Sequence, residues 1–472
     1  MREEQRVGSA PIDGREAAFL AVRDVFSGRG FVGERLRALR DQRRLSGREA
    51  ALAMQIGLGT VRHALTIDRV LSAVARYDPQ RVHPALRTIL CTAAYQVIWM
   101  DRIPVFAAGN QAVELARRHV GHRSPGMVNA LLRRLTQAIE ARGVPWERLN
   151  PRQVRVSWDQ ACAFDSDVLP AADPASNHVE HLAAATGERP RRYRNLVERF
   201  GPERAEALAW ACQALPVTVL QRHVLRINSG VFQEQVRASC GEAAECTPDA
   251  AFLPPTVNAL ALPLFREGRA YIQDMTAHAA ASLLEPRPGE RVLDLCAAPG
   301  GKSIVLAQQM NDRGEVIACD ASPDRILQVR ENVARLRLTC IRTHLIRTSD
   351  ASESDLAGEF DAALADVPCS NSGVIARRPE ARLGLTRRKL ASLVELQGAL
   401  LRHAAARVRT GGRVVYSTCS IEPEENEQVV SAFLSESPAW ELDLQQTWLP
   451  SWGPRLSDWR DGGYAARLVR RT

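Results

Sequence analysis

Two cysteine–serine pairs carry the most reactive groups in this sequence, and each follows a short apolar segment. They are Cys369 in "ADVPCSNSG" and Cys419 in "YSTCSIEPEENE". A thiolate at a ligand-binding edge can act as a covalent nucleophile. The alternative is an inert, buried small hydrophobic residue, which is how we interpret Cys319 and Cys340. The candidate reacting residues are therefore Cys369 and Cys419.

A glycine loop, "DLCAAPGGKS", ends in the Gly-Lys-Ser of a phosphate-binding P-loop. A P-loop needs another glycine five positions before its Gly-Lys, and Cys296 occupies that position, so hydrolysis of a nucleoside triphosphate is the weakest hypothesis. Small residues instead let backbone N–H groups approach an anionic ligand at a helix N-terminus. We expect the following residues to contact a cofactor: Cys296, Ala297, Ala298, Pro299, Gly300, Gly301 and Lys302.

Lys302 stands out because only two of the 62 basic residues are lysines. We interpret Lys302 as a functional residue whose role depends on the compact point charge of its ammonium group.

Two aspartates are candidates for the rest of the cofactor site. Asp320 lies twenty residues beyond Gly300, about the separation at which an acidic residue receives ribose hydroxyls in dinucleotide folds. The dinucleotide fingerprint itself is absent, which favours a nucleoside without a pyrophosphate. S-adenosylmethionine fits, with its carboxylate at the loop, its ribose at Asp320 and its adenine amino group at Asp350 in "TSDAS". The alternative is that both aspartates only cap turns.

The elements that must position these residues alternate between strand and helix after residue 285. Short apolar strands are predicted in "RVLDLCA", "GEVIACD", "DAALADVPC" and "GRVVYSTC", with helices in "KSIVLAQQM", "PDRILQVRENVARLR" and "RKLASLVELQGALLRHAAARV". Such alternation predicts a mostly parallel sheet covered by helices on both faces. Ligands bind at the carboxyl ends of its strands, where both thiols are expected.

The sequence before this sheet has a different pattern. Residues 15 to about 136 have the 3.6-residue apolar period of helices only, as in "REAAFLAVRDVF". The stretch that follows has no sustained period and is predicted as a linker or a surface insertion, and the next as a small α+β domain. The predicted boundaries are 10–140, 141–189, 190–275 and 276–472.

Composition limits the possible partners. The net charge of +8 is typical of proteins with a polyanionic partner, although arginine-rich genomes also produce basic proteins. No apolar run approaches the roughly 18 to 20 residues of a membrane span, so we expect a cytoplasmic protein without membrane contact. The ten cysteines are then expected to be free thiols. Their spacing fits no standard zinc pattern, so no metal is predicted.

At this point a resemblance to a known family can be stated. The motifs "DLCAAPGGKS", "DVPCSNSGVIARRPE" and "STCSIEPEENE" resemble those of the NOL/NOP/Sun family of RNA cytosine-5 methyltransferases. The segments "RIPVFAAGNQAVELARRHVG" and "GMVNALLRRL" resemble the NusB-type RNA-binding domain, a pairing found in the small-subunit methyltransferase B (Sun/Fmu) group. The resemblance implies a multidomain chain: an all-α NusB-like bundle, a small α+β domain and an α/β Rossmann-like class I methyltransferase domain.

The resemblance also implies roles for individual residues. Cys419, in the TCS motif, would be the nucleophile that adds to carbon-6 of cytosine, and Cys369, in the PCS motif, would assist product release. Asp366 would hold the base beside the cofactor, and Lys302 would support the site electrostatically. The implied substrate is a cytosine of small-subunit (16S) ribosomal RNA, single-stranded or locally opened, because the base must leave its stack. We expect the protein to act as a monomer.

The chain departs from the family pattern in three places. The PCS motif usually continues Gly-Thr-Gly, whereas this chain has Asn371, Ser372 and Gly373. Leu383 replaces a frequent tryptophan, and the tail "DGGYAARL" lacks a common phenylalanine. These changes leave both thiols and the acidic residues in place, so we expect activity with a less secure choice of target.

Two alternatives remain open at this stage. One is a NusB-like RNA-binding assembly or antitermination factor with a methyltransferase fold and no activity, although the presence of both thiols argues against it. The other is methylation of protein or DNA, which leaves the NusB-like helices unexplained. The segment "ARRPEARLGLTRRK", with six basic residues from Arg377 to Lys389, is a candidate phosphate contact or a solvated face.

Overall fold

The computed structural model describes residues 12–43, 45–75, 77–346, 356 and 358–472. The chain divides into two compact units. The N-terminal unit comprises Met1–Ala214 together with the short stretch Arg378–Gly384. The C-terminal unit comprises Leu215–Arg377 and Leu385–Thr472.

The N-terminal unit is mainly helical, as the apolar periodicity predicts. Its helices are α1 (Gly14–Phe26), α2 (Val32–Arg43), α3 (Gly47–Ala75), α4 (Pro84–Trp99), α5 (Val105–His119), α6 (Ser124–Ala138), α7 (Val179–Ala185), α8 (Pro190–Phe200), α9 (Pro202–Ala211) and the short α15 (Ala381–Gly384). Helix α1 begins where the Asp13 side chain accepts a hydrogen bond from the Glu16 N–H at 2.8 Å, a standard N-cap. Its apolar residues Ala18, Val22 and Val25 are buried in the core of the bundle.

Helices α3 and α4 approach each other closely at Gly59. A Cβ atom at this position would lie 1.9 Å from the Tyr95 ring, so only glycine leaves room for the ring. Tyr95 also stacks near His63 and Trp99. The glycine in "QIGLGTV" therefore fixes the distance between two central helices of the unit.

The stretch 141–189 differs from the predicted linker. It contains most of a three-stranded antiparallel sheet in the order β1-β3-β2, formed by β1 (Ile139–Pro145), β2 (Gln153–Arg155) and β3 (Gln160–Phe164), and it continues into α7. Val154, Cys162 and Phe164 are buried in the core of the helices. Strands of three to seven residues are too short for an alternating pattern to stand out, so they are not recognisable from the sequence.

The C-terminal unit contains two sheets. The smaller is antiparallel in the order β5-β6-β4-β7, from β4 (Thr218–Arg222), β5 (Glu245–Cys246), β6 (Ala250–Leu253) and β7 (Ala270–Ile272), with helices α10 (Ser229–Cys240) and α11 (Pro263–Arg266). The segment 190–275, predicted as one small α+β domain, is therefore shared between the two units, because α8 and α9 belong to the N-terminal unit.

The larger sheet has seven strands in the order β10-β9-β8-β11-β12-β14-β13. The strands are β8 (Arg291–Asp294), β9 (Glu315–Asp320), β10 (Ile341–Leu345), β11 (Phe360–Asp366), β12 (Val408–Thr418), β13 (Trp440–Trp448) and β14 (Gly463–Arg470). The first five in this order are parallel, whereas β14 pairs antiparallel with both β12 and β13. The mostly parallel sheet predicted from the sequence is therefore confirmed.

Helices cover both faces of the seven-stranded sheet. They are α12 (Met275–Ser282), α13 (Gly301–Gln309), α14 (Pro323–Leu336), α16 (Arg387–Ala406) and α17 (Glu427–Glu436). Alternate strand residues face opposite sides, so Val292 packs with residues of α12 to α14 and Leu293 with residues of α16 and α17. None of the described helices combines the length and the apolar character needed to cross a bilayer.

Candidate active site

The glycine loop connects β8 to α13, and several hydrogen bonds fix its path. Ala297 N–H donates to the Cys319 carbonyl at 2.8 Å, and Gly300 N–H donates to the Ala297 carbonyl at 2.7 Å. Gly300 has φ +100°, which favours glycine, and a Cβ there would lie 3.1 Å from Val329. The Ala298–Pro299 peptide bond is cis. The predicted loop residues thus form one tight connection at the carboxyl end of β8.

Helix α14 holds the carbonyls of this loop. Arg325 donates to the Ala298 carbonyl at 2.8 Å, and Asn332 donates to the Pro299 carbonyl at 3.0 Å. Arg325 also lies 3.3 Å from Asp320 Oδ2, so it links the loop to the end of β9. The sequence analysis did not single out either residue, because an arginine and an asparagine on a helix are ordinary surface residues.

Asp320 is almost completely buried at the end of β9, beside the strand that leads into the loop. Its Oδ1 atom accepts the Ser322 N–H at 3.0 Å, so the carboxylate caps a turn, as the alternative interpretation holds. The other oxygen, Oδ2, takes no part in this cap and faces Arg325. The ribose-binding role of Asp320 stays a prediction. Asp350, the predicted adenine contact, lies outside the described residues.

Asp294, the last residue of β8, is fully buried below the loop. Its Oδ2 atom accepts a hydrogen bond from Ser303 Oγ at 2.6 Å, which joins β8 to the first turn of α13. Burial raises the pKa of Asp294 to about 7, while Ser303 acts in the opposite direction. Burial also raises the pKa of the Cys296 thiol to about 12, so Cys296 is neutral at physiological pH.

Lys302 and Asp366 form the charged centre of the site. Lys302 Nζ lies 2.6 Å from Asp366 Oδ2, and Ser417 Oγ donates to Asp366 Oδ1 at 2.8 Å. Burial by itself lowers the pKa of Lys302, but the Asp366 carboxylate outweighs it and holds that pKa above its ordinary value. Lys302 is therefore charged at neutral pH, and both oxygens of Asp366 are oriented by hydrogen bonds.

The two candidate thiols meet at the carboxyl ends of β11 and β12. Cys369 Sγ lies 3.0 Å from Cys419 Sγ. The hydrogen bond with Cys419 and burial raise the pKa of the Cys369 thiol well above its ordinary value, so Cys369 is protonated at neutral pH. The close approach confirms that these two strands deliver their cysteines to one place, as expected from the sheet.

A buried network behind the thiols holds the two cysteine–serine pairs together. Glu425 is fully buried and accepts hydrogen bonds from Ser370 N–H at 2.8 Å, Ser370 Oγ at 2.5 Å and Gln397 Nε2 at 3.0 Å. Ser420 Oγ lies 3.2 Å from Ser370 Oγ and 3.0 Å from Ser372 Oγ. Glu425 was not among the residues predicted from the sequence. Its only signal was an acidic residue six positions after Cys419 in "CSIEPEENE".

A second carboxylate pair, also missed, lies next to the thiols. Asp461 and Asp274 both contact Arg377, whose Nη2 also donates to the Val217 carbonyl at 2.9 Å. Burial is the main cause that raises the pKa of Asp461 to about 7, with Asp274 adding to it and Arg377 opposing it. A small cavity of about 50 Å³ is lined by Lys302, Asp366, Cys419, Asp274 and Asp461 among others.

These contacts correct one interpretation of the basic segment that follows the PCS motif. Arg377 is engaged by two aspartates, and the Arg382 side chain is 1% exposed with its Nε 3.0 Å from Glu188 Oε1. Both are therefore removed from the set of candidate phosphate contacts, because their guanidinium groups are already paired with carboxylates. Arg387, Arg388 and Lys389, at the start of α16, are exposed.

Comparison with known proteins agrees with this geometry. Residues 281–451 match the family model described as 16S rRNA methyltransferase RsmB/F, and residues 13–137 match the NusB family. A relative from Pseudomonas syringae pv. tomato, named ribosomal RNA small subunit methyltransferase B, is 30% identical over 97% of this chain and 96% of its own length. This chain belongs to that methyltransferase family.

Other matches extend over similar lengths. A protein of Bacillus subtilis, named probable ribosomal RNA small subunit methyltransferase B, is 30% identical over 85% of this chain and 83% of its own length. The solved structure titled PH0851 superimposes with a TM-score of 0.70 at 21% identity, over 96% of this chain and 98% of that one, which supports the fold. The family membership, the NusB domain and the fold class inferred from the motifs are therefore confirmed.

The described residues contain no cluster of three or more His, Cys, Asp or Glu able to hold a metal ion.

Proposed function

We propose that this protein transfers a methyl group from S-adenosylmethionine to carbon-5 of a cytosine in small-subunit (16S) ribosomal RNA. Family membership supports methyl transfer, and the names of the relatives supply the RNA substrate. The observation that carries the cytosine-5 chemistry is the pair of thiols 3.0 Å apart, next to the Lys302–Asp366 pair.

Cys419 is the proposed nucleophile. Carbon-5 of cytosine is a poor nucleophile, and addition of the Cys419 sulfur to carbon-6 makes the ring an enamine whose carbon-5 can accept a methyl group. Loss of the carbon-5 proton then restores the ring double bond, breaks the bond between sulfur and carbon-6, and expels Cys419. This order requires the thiol and the methyl donor to approach the same ring.

Cys369 is proposed to assist the release step. A neutral thiol 3.0 Å from Cys419 Sγ can donate a hydrogen bond or a proton to the sulfur that leaves carbon-6. Its raised pKa suits this role, because Cys369 keeps its proton at neutral pH. The same property makes Cys369 a poor nucleophile, and the attack is assigned to Cys419 of the TCS motif.

Asp366 and Lys302 are proposed to hold and polarise the base. The Asp366 carboxyl can accept a hydrogen bond from the exocyclic amine of cytosine. In its protonated form it can also donate a hydrogen bond to the adjacent ring nitrogen, which draws electrons from the ring and favours attack at carbon-6. Hydrogen bonds from Ser417 and Lys302 fix both oxygens of Asp366 before the base arrives. The Lys302 charge offsets negative charge in the site, in a partly buried position where it is less screened than in water.

The residues around the glycine loop fit S-adenosylmethionine. The residues from Cys296 to Gly301 are all small or short. A Cβ atom at Gly300 would crowd Val329, so glycine is favoured at that position. The loop and Lys302 would hold the methionyl part, Asp320 the ribose, Asp366 would lie near the transferred group, and Asp350 stays the proposed adenine contact. When bound, the cofactor supplies an electrophilic methyl on a sulfonium.

The RNA is proposed to present its target base outside a helix stack. A base that must contact Cys419, Asp366 and the methyl donor together cannot remain stacked and paired, so single-stranded or locally opened RNA is the expected substrate. The exposed Arg387, Arg388 and Lys389 are suitable phosphate contacts. We also keep with this proposal the expectations of a monomer and of a cytoplasmic protein.

The proposal is tested by transfer of labelled methyl from S-adenosylmethionine to unmodified small-subunit ribosomal RNA. We expect 5-methylcytosine with the wild type, none with Cys419→Ala, and a covalent protein–RNA adduct that accumulates with Cys369→Ala. Cys240→Ala, which removes a thiol from α10, is the matched control and should behave as the wild type.

Two results would contradict the proposal. Methylated product with Cys419→Ala would exclude this nucleophile. Cofactor binding without transfer to naked RNA or to assembling small subunits would favour the alternative of an RNA-binding factor without activity.

A further inference from the structure

Asn371 contacts both residues that carry the candidate thiols. Cys419 Sγ donates to Asn371 Oδ1 at 3.3 Å, and Asn371 Nδ2 donates to the Cys369 carbonyl at 3.1 Å. The second bond fixes the orientation of the amide, because a flipped amide would place Oδ1 against another carbonyl oxygen. The atom that faces the Cys419 sulfur is therefore an acceptor.

The backbone around Asn371 gives the amide a fixed position. Asn371 has φ +61°, in the left-handed region that asparagine tolerates better than most residues. On its C-terminal side, Ser372 Oγ accepts the Ile421 N–H at 3.0 Å, and Gly373 N–H donates to the Cys419 carbonyl at 3.0 Å. The loop is thus fastened to the end of β12 on which the nucleophile lies.

An acceptor at this place has a definite electrostatic effect. A hydrogen bond accepted from a thiol stabilises the protonated form, whereas the same carbonyl oxygen repels a thiolate. The family pattern has glycine at this position, which offers no side-chain acceptor. This chain therefore carries an added acceptor in direct contact with the sulfur of its proposed nucleophile.

We propose that Asn371 is a positioning residue that accepts a hydrogen bond from the Cys419 thiol and holds its sulfur in place until the target base is bound. This inference rests on the proposed function, in which Cys419 is the nucleophile. Asn371 touches Cys419 through its own side chain and needs neither cofactor nor RNA to do so. Its effect therefore belongs to the resting protein and can be measured there.

The other titratable groups near Cys419 remain unchanged when only Asn371 is substituted. They are Cys369, whose sulfur lies 3.0 Å away, the groups that line the adjoining cavity, which are Asp274, Lys302, Asp366 and Asp461, and Glu425 in the network behind the thiols. Since these groups are common to the wild type and the variants, a change in the titration of Cys419 reports the loss of the Asn371 acceptor.

The test is the pH dependence of Cys419 alkylation by iodoacetamide in the full chain, read by mass spectrometry of tryptic peptides. Arg377 and Arg413 separate Cys369 from Cys419, so the two thiols are quantified on different peptides. Asn371→Gly accepts the left-handed backbone and lacks the amide, Asn371→Ala lacks the amide in a strained backbone, and Asn371→Asp replaces it with a charge.

We expect the alkylation midpoint to move to lower pH by about 0.5 to 1 pH unit in both Asn371→Gly and Asn371→Ala, the size expected for one lost hydrogen bond. Asn371→Asp should move it to higher pH, because a carboxylate disfavours the thiolate. An unchanged or higher midpoint in Asn371→Gly would overturn the inference. If Cys419→Ala retained methyl transfer, the proposed function would fail instead, whatever the alkylation midpoints.

Discussion

At the scale of single residues, burial and close partners shift the pKa values of the groups in the site. Asp294 has a pKa of about 7 because it is fully buried, and Cys369 is protonated because it shares a hydrogen bond with Cys419. Lys302 keeps its charge because Asp366 lies 2.6 Å away. Several perturbed pKa values thus occur within one small region, as is common at functional sites.

The buried carboxyl of Asp294 gives a testable dependence of stability on pH. Its pKa rises on folding from 3.8 to about 7, so between these values the native state binds more protons than the unfolded state. The free energy of unfolding must therefore fall as pH rises through this window. We expect Asp294→Asn to match the wild type near pH 4 and to exceed it above pH 7, by at most about 4 kcal/mol.

Urea unfolding of both proteins at a series of pH values measures this difference. Asp312→Asn serves as the comparison, because the pKa of Asp312 is lowered in the folded protein, so its loss should destabilise the protein most at neutral pH. A constant difference between Asp294→Asn and the wild type across pH 4 to 8 would contradict the prediction.

At the scale of elements, the loop after β11 and the start of β14 pack backbone against backbone. Gly462 N–H donates to the Gly373 carbonyl at 2.7 Å. A Cβ at Gly373 would lie 2.7 Å from the Gly462 carbonyl carbon and 2.9 Å from the Cys419 carbonyl oxygen. This explains why the chain keeps the second glycine of the motif while Asn371 replaces the first.

Gly373→Ala should therefore displace the end of β14 or the loop itself. We expect a loss of about 1 to 3 kcal/mol in the free energy of unfolding, as for other insertions into packed sites, together with loss of methyl transfer because the thiols move apart. Gly398→Ala in α16 is the control, since its Cβ would meet only the end of the Arg402 side chain at 3.5 Å. It should stabilise the protein by about 0.5 to 1 kcal/mol. Equal stability of the two variants in denaturant unfolding would contradict this prediction.

The sequence was sufficient to predict the elements that follow a clear period and the residues at strand ends. The parallel strands and the meeting of Cys369 with Cys419 follow from apolar runs and from the rule that such strands end at one edge. Asn371 and Glu425 were not predictable in this way, because their roles depend on contacts across about fifty residues that leave no local pattern. The same reason accounts for the missed pair of Asp274 and Asp461.

At the scale of the whole chain, the N-terminal unit is completed by a stretch from the second half of the sequence. Arg382 is buried there, its Nη1 donates to the Arg62 carbonyl at 2.9 Å, and its Nε lies 3.0 Å from Glu188. Leu383, where the family often has tryptophan, packs against the core of this unit. The sequence suggested phosphate contacts for the whole basic segment, since burial of an arginine cannot be read from its neighbours.

Arg382→Ala should be strongly destabilising, because it leaves the Glu188 carboxylate buried without this partner. We expect a loss of about 3 to 5 kcal/mol in the free energy of unfolding, the usual result of removing one member of a buried ion pair. Arg378→Ala, in the same stretch, removes a partly exposed ion pair at 4.0 Å from Glu34 and a cation–π contact at 4.9 Å from the centre of the Phe31 ring, and should cost at most about 2 kcal/mol. Thermal and urea unfolding of the two variants measure the difference, and similar losses would count against the assigned role of Arg382.

The stretch Arg378–Gly384 also constrains how the gene can recombine. Two relatives that exchange their first 214 residues would each inherit a foreign piece in the core of the N-terminal unit, because that piece is encoded more than 160 residues downstream. A crossover is expected to be tolerated only when the downstream codons travel with the N-terminal half. The two parts of this gene should therefore descend together, even though the family models describe them as separate modules.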